Sequence, residues 1–253
     1  QQSCFLQAGG EILRDYVTSV VESTDGLITV HTKHEIPGTA LTCRKLLLCN
    51  GCFVNTVPVT PKNRTEPLVP LVPNLQLQTQ SVVLFEIQEQ DVALLPTETI
   101  IFGGATKDAP GEVKDDSGYL VPPTKYEKDG KFYLKMGHGK ELELVIDAQS
   151  EQDIRGWYDG SDGNTNNNKN DEEVATNMTE IFSWMFPAVT PVSTTLVRNG
   201  ITTHTDNNEL IMRMLDDNGG SQIGVVTACN GYGAKGSDEI GRLAAEMLLG
   251  NKE

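Results

Sequence analysis

The sequence predicts a mixed α/β protein in which one domain is interrupted by a second, mostly antiparallel domain. Residues 221–250 have the pattern of a buried strand, a glycine-rich turn and an amphipathic helix, as in an α/β domain. Residues 57–73 contain five prolines, which is typical of a crossing between domains. The segments after the crossing have strand composition with turn signals between them, which predicts an antiparallel sheet.

These observations divide the 253 residues into three segments. Residues 1–62 and residues 199–253 are assigned to the first domain. Residues 63–198 are assigned to the second domain, which carries a polar insert at residues 159–173. A chain of this length can bury the cores of two domains.

The charge balance limits the partners of the protein. With 20 Lys and Arg against 35 Asp and Glu, the net charge is −15, which argues against binding to nucleic acid or to an anionic membrane. No apolar run approaches the length of a membrane span, and the first three residues, Gln-Gln-Ser, contain neither a start methionine nor a signal-peptide pattern. We therefore expect an intracellular protein, cytoplasmic or peroxisomal, and interpret the sequence as a fragment of a longer chain.

The first domain is predicted to begin with the end of a helix at residues 1–6 and to continue as strands. Residues 16–22 and 27–32 are β-branched runs on either side of an Asp-Gly turn, which predicts a hairpin. Residues 44–51 form an apolar strand that ends at Gly51. A glycine at the carboxyl end of a strand lets the backbone approach a ligand closely.

The second domain is predicted to contain an antiparallel sheet and one helix. Its strands are predicted at residues 75–87, 98–102, 118–121 and 131–136, and two more, at 193–203 and 209–212, lead back to the first domain. The helix is predicted at residues 173–186, because apolar residues repeat on one face before Pro187 stops it.

The polar insert has two interpretations. Its oxygen-bearing side chains fall at the ligand positions of an EF-hand calcium loop, namely Asp162, Asn164, Asn166, Asn170 and Glu173. Asn167 stands where that loop needs glycine, and Lys169 stands where it needs an apolar residue. An asparagine-rich stretch meets such positions by chance, so we interpret the insert as a solvated loop, with a calcium-responsive module as the weaker alternative.

The five cysteines are irregularly spaced, unlike a disulfide framework, which favours a reducing compartment. Cys49 and Cys52 form a C-x-x-C, but no second C-x-x-C and no histidine pair lies at zinc spacing. We interpret them as buried thiols, in preference to a metal or redox site.

The turn from Gly231 to Gly236 matches G-x-G-x-x-G between a strand and a helix, where backbone N–H groups and the helix dipole meet an anion. Ser237 is the predicted N-cap of the helix, and Gly250 is its predicted end. No second strand with an acidic residue follows, so the turn does not complete a dinucleotide fingerprint. On these residues alone, a tight turn for helix packing and a ligand site are equally favoured.

Four segments carry a resemblance to a known family. The turn N-G-Y-G-A-K at residues 230–235 resembles G-F-S-G-H-G-F-K, residues 46–55 resemble a segment ending A-G-A-W-T-N, residues 74–80 resemble P-L-Q-T/P, and K-M-G-H at residues 135–138 resembles K-[IV]-[GS]-Y-H. These are motifs of the FAD-dependent amine and amino-acid oxidoreductases of the DAO type, typified by monomeric sarcosine oxidase and peroxisomal pipecolate/sarcosine oxidase. The resemblance spans nearly the whole chain.

The resemblance implies the C-terminal portion of a two-domain FAD-dependent oxidoreductase, in which the substrate domain interrupts an incomplete FAD-binding domain. The strand and G-x-G-x-x-G that hold the ADP half of FAD would then precede Gln1. The implied activity is oxidation of a secondary amine or amino acid, such as sarcosine or pipecolate, with hydride passed to flavin N5 and electrons then to molecular oxygen. A truncated, non-catalytic relative that acts as a binding protein is the alternative.

The family also implies roles for single residues. The cofactor-binding residues would be Val17, Gly51, Asn230, Gly231, Tyr232, Gly233 and Ala234. Lys235, with Tyr232 beside it, would bind the carboxylate of the substrate. Lys135 and His138 would be catalytic, with Lys135 near flavin N5, where it assists oxygen. Relatives with covalent flavin have a cysteine where this chain has Gly200, so the FAD is expected to be noncovalent.

Overall fold

The computed structural model describes residues 2–34, 40–103, 105–109, 112–115, 117–139, 145–159, 165–215, 220–231, 233 and 235–250, with the backbone alone at 105–109, 112–115, 165–170 and 199. The chain forms two compact units. The first unit comprises Gln1–Leu75 and His204–Glu253, and the second comprises Gln76–Thr203. The sequence analysis placed the corresponding boundaries earlier in the chain, after residues 62 and 198.

The helices and strands lie at the following positions in chain order: α1 (Gln2–Gln7), β1 (Val17–Glu22), β2 (Ile28–Thr32), β3 (Leu41–Cys43), β4 (Leu46–Leu48), β5 (Val59–Thr60), β6 (Gln76–Ile87), β7 (Ile100–Phe102), β8 (Ala105–Ala109), β9 (Glu112–Asp115), β10 (Gly118–Lys125), β11 (Phe132–His138), β12 (Val145–Ile146), α2 (Glu151–Asp159), α3 (Thr165–Met185), β13 (Ser193–His204), β14 (Ile211–Met214), β15 (Ile223–Thr227) and α4 (Ser237–Leu249). Two 3-10 helices follow β4 and β6, at Gly51–Phe53 and Glu89–Leu94. None of the helices in the described ranges is long and apolar enough to cross a bilayer.

The first unit contains two sheets. One has the strand order β3-β2-β1-β5, and the predicted hairpin is confirmed as the antiparallel pair β1 and β2, with Val20 opposite Val30. The other sheet has the order β14-β15-β4. Its central strand β15 is parallel to β4 and antiparallel to β14, and all five of its residues are buried, as the apolar pattern predicts.

Glu22, the last residue of β1, joins these two sheets. Its side chain is only 4% exposed, and its carboxylate accepts hydrogen bonds from Ser221 Oγ at 2.7 Å, from the Gln222 N–H at 2.7 Å and from the Lys62 N–H at 3.0 Å. These bonds offset the cost of removing a carboxylate from water. The end of β1 is thereby fixed beside the residues that lead into β15.

The second unit is built on a sheet with the order β12-β6-β11-β10-β7, and β13 also pairs with β6. The pairs whose register is described are antiparallel, which confirms the prediction for this region. Helix α3 covers one face of the sheet and buries Val174, Met178 and Phe182 against it, with the Phe182 ring stacked on Phe85 at 4.4 Å. Burial of this apolar face is the main stabilising term of the unit.

The insert differs from its prediction as a solvated loop. From Thr165 onward it is part of α3, which begins eight residues before the predicted start at residue 173. Within this polar stretch, Asp171 forms an ion pair with Arg198, a tertiary contact that local composition does not reveal. An EF-hand loop cannot include residues 165–173 in this conformation. The remaining candidate ligands, Asp162 and Asn164, lie outside the described residues.

Several elements have no counterpart in the sequence analysis. They are α2, the short strands β3, β5 and β12, and the hairpin formed by β8 and β9. Each strand among them has five residues or fewer, a length at which an apolar pattern carries little information.

Candidate functional site

The first cluster of predicted site residues lies where β4 and β15 end. Parallel strands end at the same edge of a sheet, and here Leu48 pairs with Val225, while Thr227 Oγ1 contacts the carbonyl oxygen of Gly51 at 3.5 Å. Gly51 has φ of 57°, in the region that favours glycine, and no described atom lies within 4 Å of the place where its Cβ would be. We call this part of the first unit the carboxyl edge.

The turn after β15 has an unusual backbone. Ala228, Asn230 and Gly231 have φ of 58°, 50° and 74°. Asparagine and glycine adopt this left-handed conformation readily, whereas alanine does so at a cost on the order of 1 kcal/mol. The turn therefore holds one strained residue beside the segment assigned to the cofactor. Two further cofactor candidates, Tyr232 and Ala234, lie outside the described residues.

Two asparagines at the carboxyl edge have buried carboxamide oxygens. Asn230 donates a hydrogen bond from Nδ2 to the Asn208 carbonyl at 2.7 Å, and Asn50 donates from Nδ2 to the Phe53 carbonyl at 3.0 Å. Among the described residues, neither Oδ1 atom has a hydrogen-bond partner. Asn50 was not selected from the sequence, because it lies within the predicted strand at residues 44–51 and only its unpaired oxygen distinguishes it.

Gly233 is required by close packing within the same turn. A Cβ at this position would lie 2.7 Å from Cys229 Cβ and 2.9 Å from Cys229 Sγ. Burial raises the pKa of the Cys229 thiol, and burial together with the neighbouring Cys229 raises that of Cys49. All five cysteines are thiols, and Cys52 is buried as predicted, whereas Cys49 is exposed, so the prediction of a buried thiol is wrong for Cys49. The raised pKa keeps Cys49 and Cys229 protonated at neutral pH.

The start of α4 corrects one prediction. Ser237 is the first residue of the helix, and Gly236 occupies the N-cap position without a side-chain hydrogen bond, so Ser237 is not the cap. Asp238 and Glu239 lie in the first turn and counter the positive end of the helix dipole. This helix start therefore suits a neutral carbonyl group better than a phosphate. The prediction that Gly250 ends the helix is confirmed by its left-handed conformation.

The two remaining predicted site residues of the first unit, Lys235 and Val17, lie at different places. Lys235 is exposed and directly precedes the start of α4. Val17 begins β1, in the four-stranded sheet, at the opposite end of that strand from Glu22. The structure thus brings Gly51, Asn230, Gly231 and Gly233 to the carboxyl edge and places Val17 in the other sheet.

Lys135 lies on the face of the second unit's sheet that α3 does not cover. Its neighbours in β11, Leu134 and Met136, are fully buried in the core against α3, and side chains alternate along a strand. On the face of Lys135, the Tyr119 ring lies over Gly137, its partner across the strands. Burial raises the pKa of Tyr119.

His138 lies on the other face of the sheet. It is 3% exposed, and its Nε2 accepts a hydrogen bond from the Ser81 N–H at 3.3 Å while Nδ1 donates to the Gly139 carbonyl at 2.7 Å. This pattern fits a neutral imidazole with its proton on Nδ1. Lys135 and His138 therefore point to opposite faces of β11, and the structure does not bring their side chains together.

A polar network beside His138 was not recognised in the sequence. Ser81 Oγ contacts Asp171 Oδ1 at 3.3 Å, and Asp171 Oδ2 accepts from Arg198 Nε at 2.9 Å. Arg198 also donates to the Trp157 carbonyl at 2.6 Å, and its side chain is 12% exposed. The partners come from β6, β13, α2 and α3, so no local motif could have identified them.

A family model described as "FAD dependent oxidoreductase" (DAO) matches residues 3–247. A search of curated proteins gives no match.

Solved structures share the fold at low sequence identity. A thermally stable mutant of fructosyl peptide oxidase matches with a TM-score of 0.62 and 14% identity, over 99% of this chain and 53% of that one. Fructosyl amine:oxygen oxidoreductase (Amadoriase I) from Aspergillus fumigatus matches with a TM-score of 0.56 and 13% identity, over 93% of this chain and 45% of that one. The chain therefore spans about half the length of these structures.

Proposed function

Because the chain belongs to the FAD-dependent oxidoreductase (DAO) family, we propose that it provides the substrate and isoalloxazine sides of a flavoenzyme that oxidises a secondary amine or amino acid. Molecular oxygen is the electron acceptor in this proposal. One solved structure of the same fold is named a fructosyl amine:oxygen oxidoreductase, which supports an amine as electron donor and oxygen as acceptor.

The observation that carries the proposal is the chemistry of the carboxyl edge. The pyrimidine edge of an isoalloxazine presents carbonyl acceptors and one N–H donor. Gly231 and Gly233 present backbone without side chains, and the Oδ1 atoms of Asn50 and Asn230 are acceptors without a partner among the residues that the structure describes. Gly51 leaves open space on the neighbouring strand end. These residues fit the flavin half of FAD, and we assign its binding to them.

When bound, FAD supplies the acceptor for the hydride removed from the amine and passes the electrons on to oxygen. The chain's own residues supply charge. Lys235, exposed beside the flavin-binding turn, binds the substrate carboxylate, because its flexible stem delivers a point charge to an anion.

Lys135 has a different role in the proposal. It is a cation on the half-exposed face of the second unit's sheet. A cation fixed near the flavin stabilises the negative charge that develops on oxygen when it accepts an electron, and this effect is largest where water is excluded. Removal of hydride from the amine does not require that charge.

The experiment is a reduction assay on the full-length protein. We expect the purified protein to show flavin absorbance, to bleach anaerobically with a secondary amine or amino acid from a panel that includes sarcosine and pipecolate, and to form peroxide on admission of oxygen. A protein that binds flavin but is reduced by no amine in the panel would contradict the proposed oxidation. A protein without flavin would support the non-catalytic binding protein instead.

A further inference from the structure

The two unpaired carboxamide oxygens at the carboxyl edge require an explanation. Within the described ranges, three buried side-chain atoms lack a hydrogen-bond partner, and two of them are Asn50 Oδ1 and Asn230 Oδ1. Burial of an acceptor without a partner is unfavourable, so such atoms are rare in native proteins. Their occurrence at one edge of one sheet points to a ligand that donates hydrogen bonds there.

The hydrogen bonds that the Nδ2 atoms donate fix the orientation of both carboxamides. Nδ2 of Asn230 donates to the Asn208 carbonyl, and Nδ2 of Asn50 donates to the Phe53 carbonyl. Exchanging oxygen and nitrogen in either side chain would place a carboxamide oxygen against a carbonyl oxygen and lose the bond. The unpaired atom is therefore the oxygen in both cases, so a ligand group that pairs with either atom must be a donor.

We propose that Asn230 Oδ1 accepts a hydrogen bond from N3–H of the isoalloxazine, and that this contact selects the imide edge of the flavin. N3–H is the donor on that edge and lies between two carbonyl acceptors. Asn230 lies in the same turn as Gly231, whose backbone is assigned to a flavin carbonyl, so one short segment supplies both kinds of group. The inference rests on the proposed flavin site and assigns its specificity.

Asn230 Oδ1 is shielded from solvent, so contact with a flavin atom requires a movement of Asn230. A donor at this oxygen removes the cost of a buried acceptor without a partner, and this gain contributes to flavin binding.

The test compares FAD with 3-methyl-FAD, in which a methyl group replaces the hydrogen on N3. Both flavins are titrated into the full-length apoprotein, and their dissociation constants are measured by the change in flavin fluorescence. The variants are Asn230→Gly, which suits a φ of 50° without new strain, and Asn50→Ala, which removes the other unpaired oxygen of the carboxyl edge and so tests the competing assignment of N3–H to Asn50. Thermal unfolding of each apoprotein reports whether it folds.

We expect the wild-type protein to bind FAD on the order of 10-fold more tightly than 3-methyl-FAD, and we expect Asn230→Gly to reduce the ratio of the two dissociation constants to about 1. Asn50→Ala should leave this ratio unchanged. If Asn230→Gly weakens the binding of both flavins equally and leaves the ratio unchanged, Asn230 is only a structural residue of the turn and the inference is wrong. If Asn50→Ala abolishes the ratio instead, the assignment to Asn230 is also wrong. A wild-type protein that binds neither flavin refutes the proposed function itself.

Discussion

The Tyr119 ring occupies the space that a side chain at Gly137 would fill. A Cβ at Gly137 would lie 2.3 Å from Tyr119 Cε1 and 2.6 Å from Tyr119 Oη. Because Tyr119 and Gly137 are partners on adjacent antiparallel strands, the ring lies flat across β11 on the same face as Lys135.

Gly137→Ala should therefore displace Tyr119 and destabilise the second unit by about 1 to 3 kcal/mol, as expected for overpacking. Urea denaturation of the full-length protein measures this change. Gly200→Ala is the matched control, because Gly200 also lies in a strand but no described atom is within 4 Å of its Cβ position. Equal stability of the two variants would show that the ring can move at no cost.

Lys135→Met should leave anaerobic reduction of the flavin by substrate within a small factor of wild type and slow reoxidation by oxygen by orders of magnitude. Lys235→Met should weaken substrate binding and spare reoxidation. Stopped-flow measurement of the two half-reactions in the full-length protein separates these effects. Unchanged reoxidation in Lys135→Met would remove the oxygen-activating role and favour a dehydrogenase.

The flavin should be released by acid precipitation, because Gly200 stands at the position of the attachment cysteine in covalent relatives and has no sulfur. Absorbance of the supernatant and of the redissolved pellet at flavin wavelengths measures the partition. Flavin that stays with the denatured chain would contradict a noncovalent cofactor.

Arg198→Met should destabilise the second unit by about 2 to 3 kcal/mol, because it leaves the partly buried Asp171 carboxylate without its cation. Arg155→Met is the control, since its ion pair with Glu151 is an exposed contact along one helix and contributes little. Both are measured by urea denaturation. A similar loss of stability in the two variants would mean that Asp171 is solvated in the native protein.

Alkylation of the cysteines should depend on pH. The raised pKa of Cys49 and Cys229 keeps both as thiols at pH 8, and the thiolate that reacts becomes abundant only as pH rises above the ordinary value near 9. Labelling with iodoacetamide, followed by peptide mass spectrometry, should modify the exposed Cys4 first. Cys49, which is also exposed, and the half-buried Cys229 should react only at higher pH, because their pKa is raised. Fast labelling of Cys229 at pH 7 would show that its thiol is not desolvated.

The sequence predicted those parts of the fold in which periodicity and burial agree. The five buried residues of β15 and the apolar face of α3 are examples, because a strand or helix that packs on a core must repeat its apolar residues accordingly. The beginning of α3 was not predicted, because residues 165–171 have a loop composition, and the ion pair of Asp171 with Arg198 joins residues far apart in the sequence. Tertiary contacts of this kind override local propensity.

Part of the candidate site was also predicted from the sequence. The glycine-rich turn and Gly51 were selected because strand ends and glycines mark places where backbone meets a ligand. Asn50 was missed, since a single asparagine after a strand has no pattern of its own, and only its unpaired oxygen distinguishes it. The opposite directions of Lys135 and His138 follow from strand alternation, but only once both residues are known to lie in one strand, β11.

The hydrogen bond between Glu22 and Ser221 joins residues 199 positions apart, and the parallel pair of β4 and β15 likewise joins segments that are far apart in the sequence. During synthesis on the ribosome, residues 1–75 emerge long before the strand that completes their second sheet. The strands of the second unit all lie between Gln76 and His204, so that sheet can form first. Until β15 is synthesised, β4 lacks the parallel partner that it has in the folded protein, and the N–H and C=O groups that pair with β15 are open to pairing with other chains.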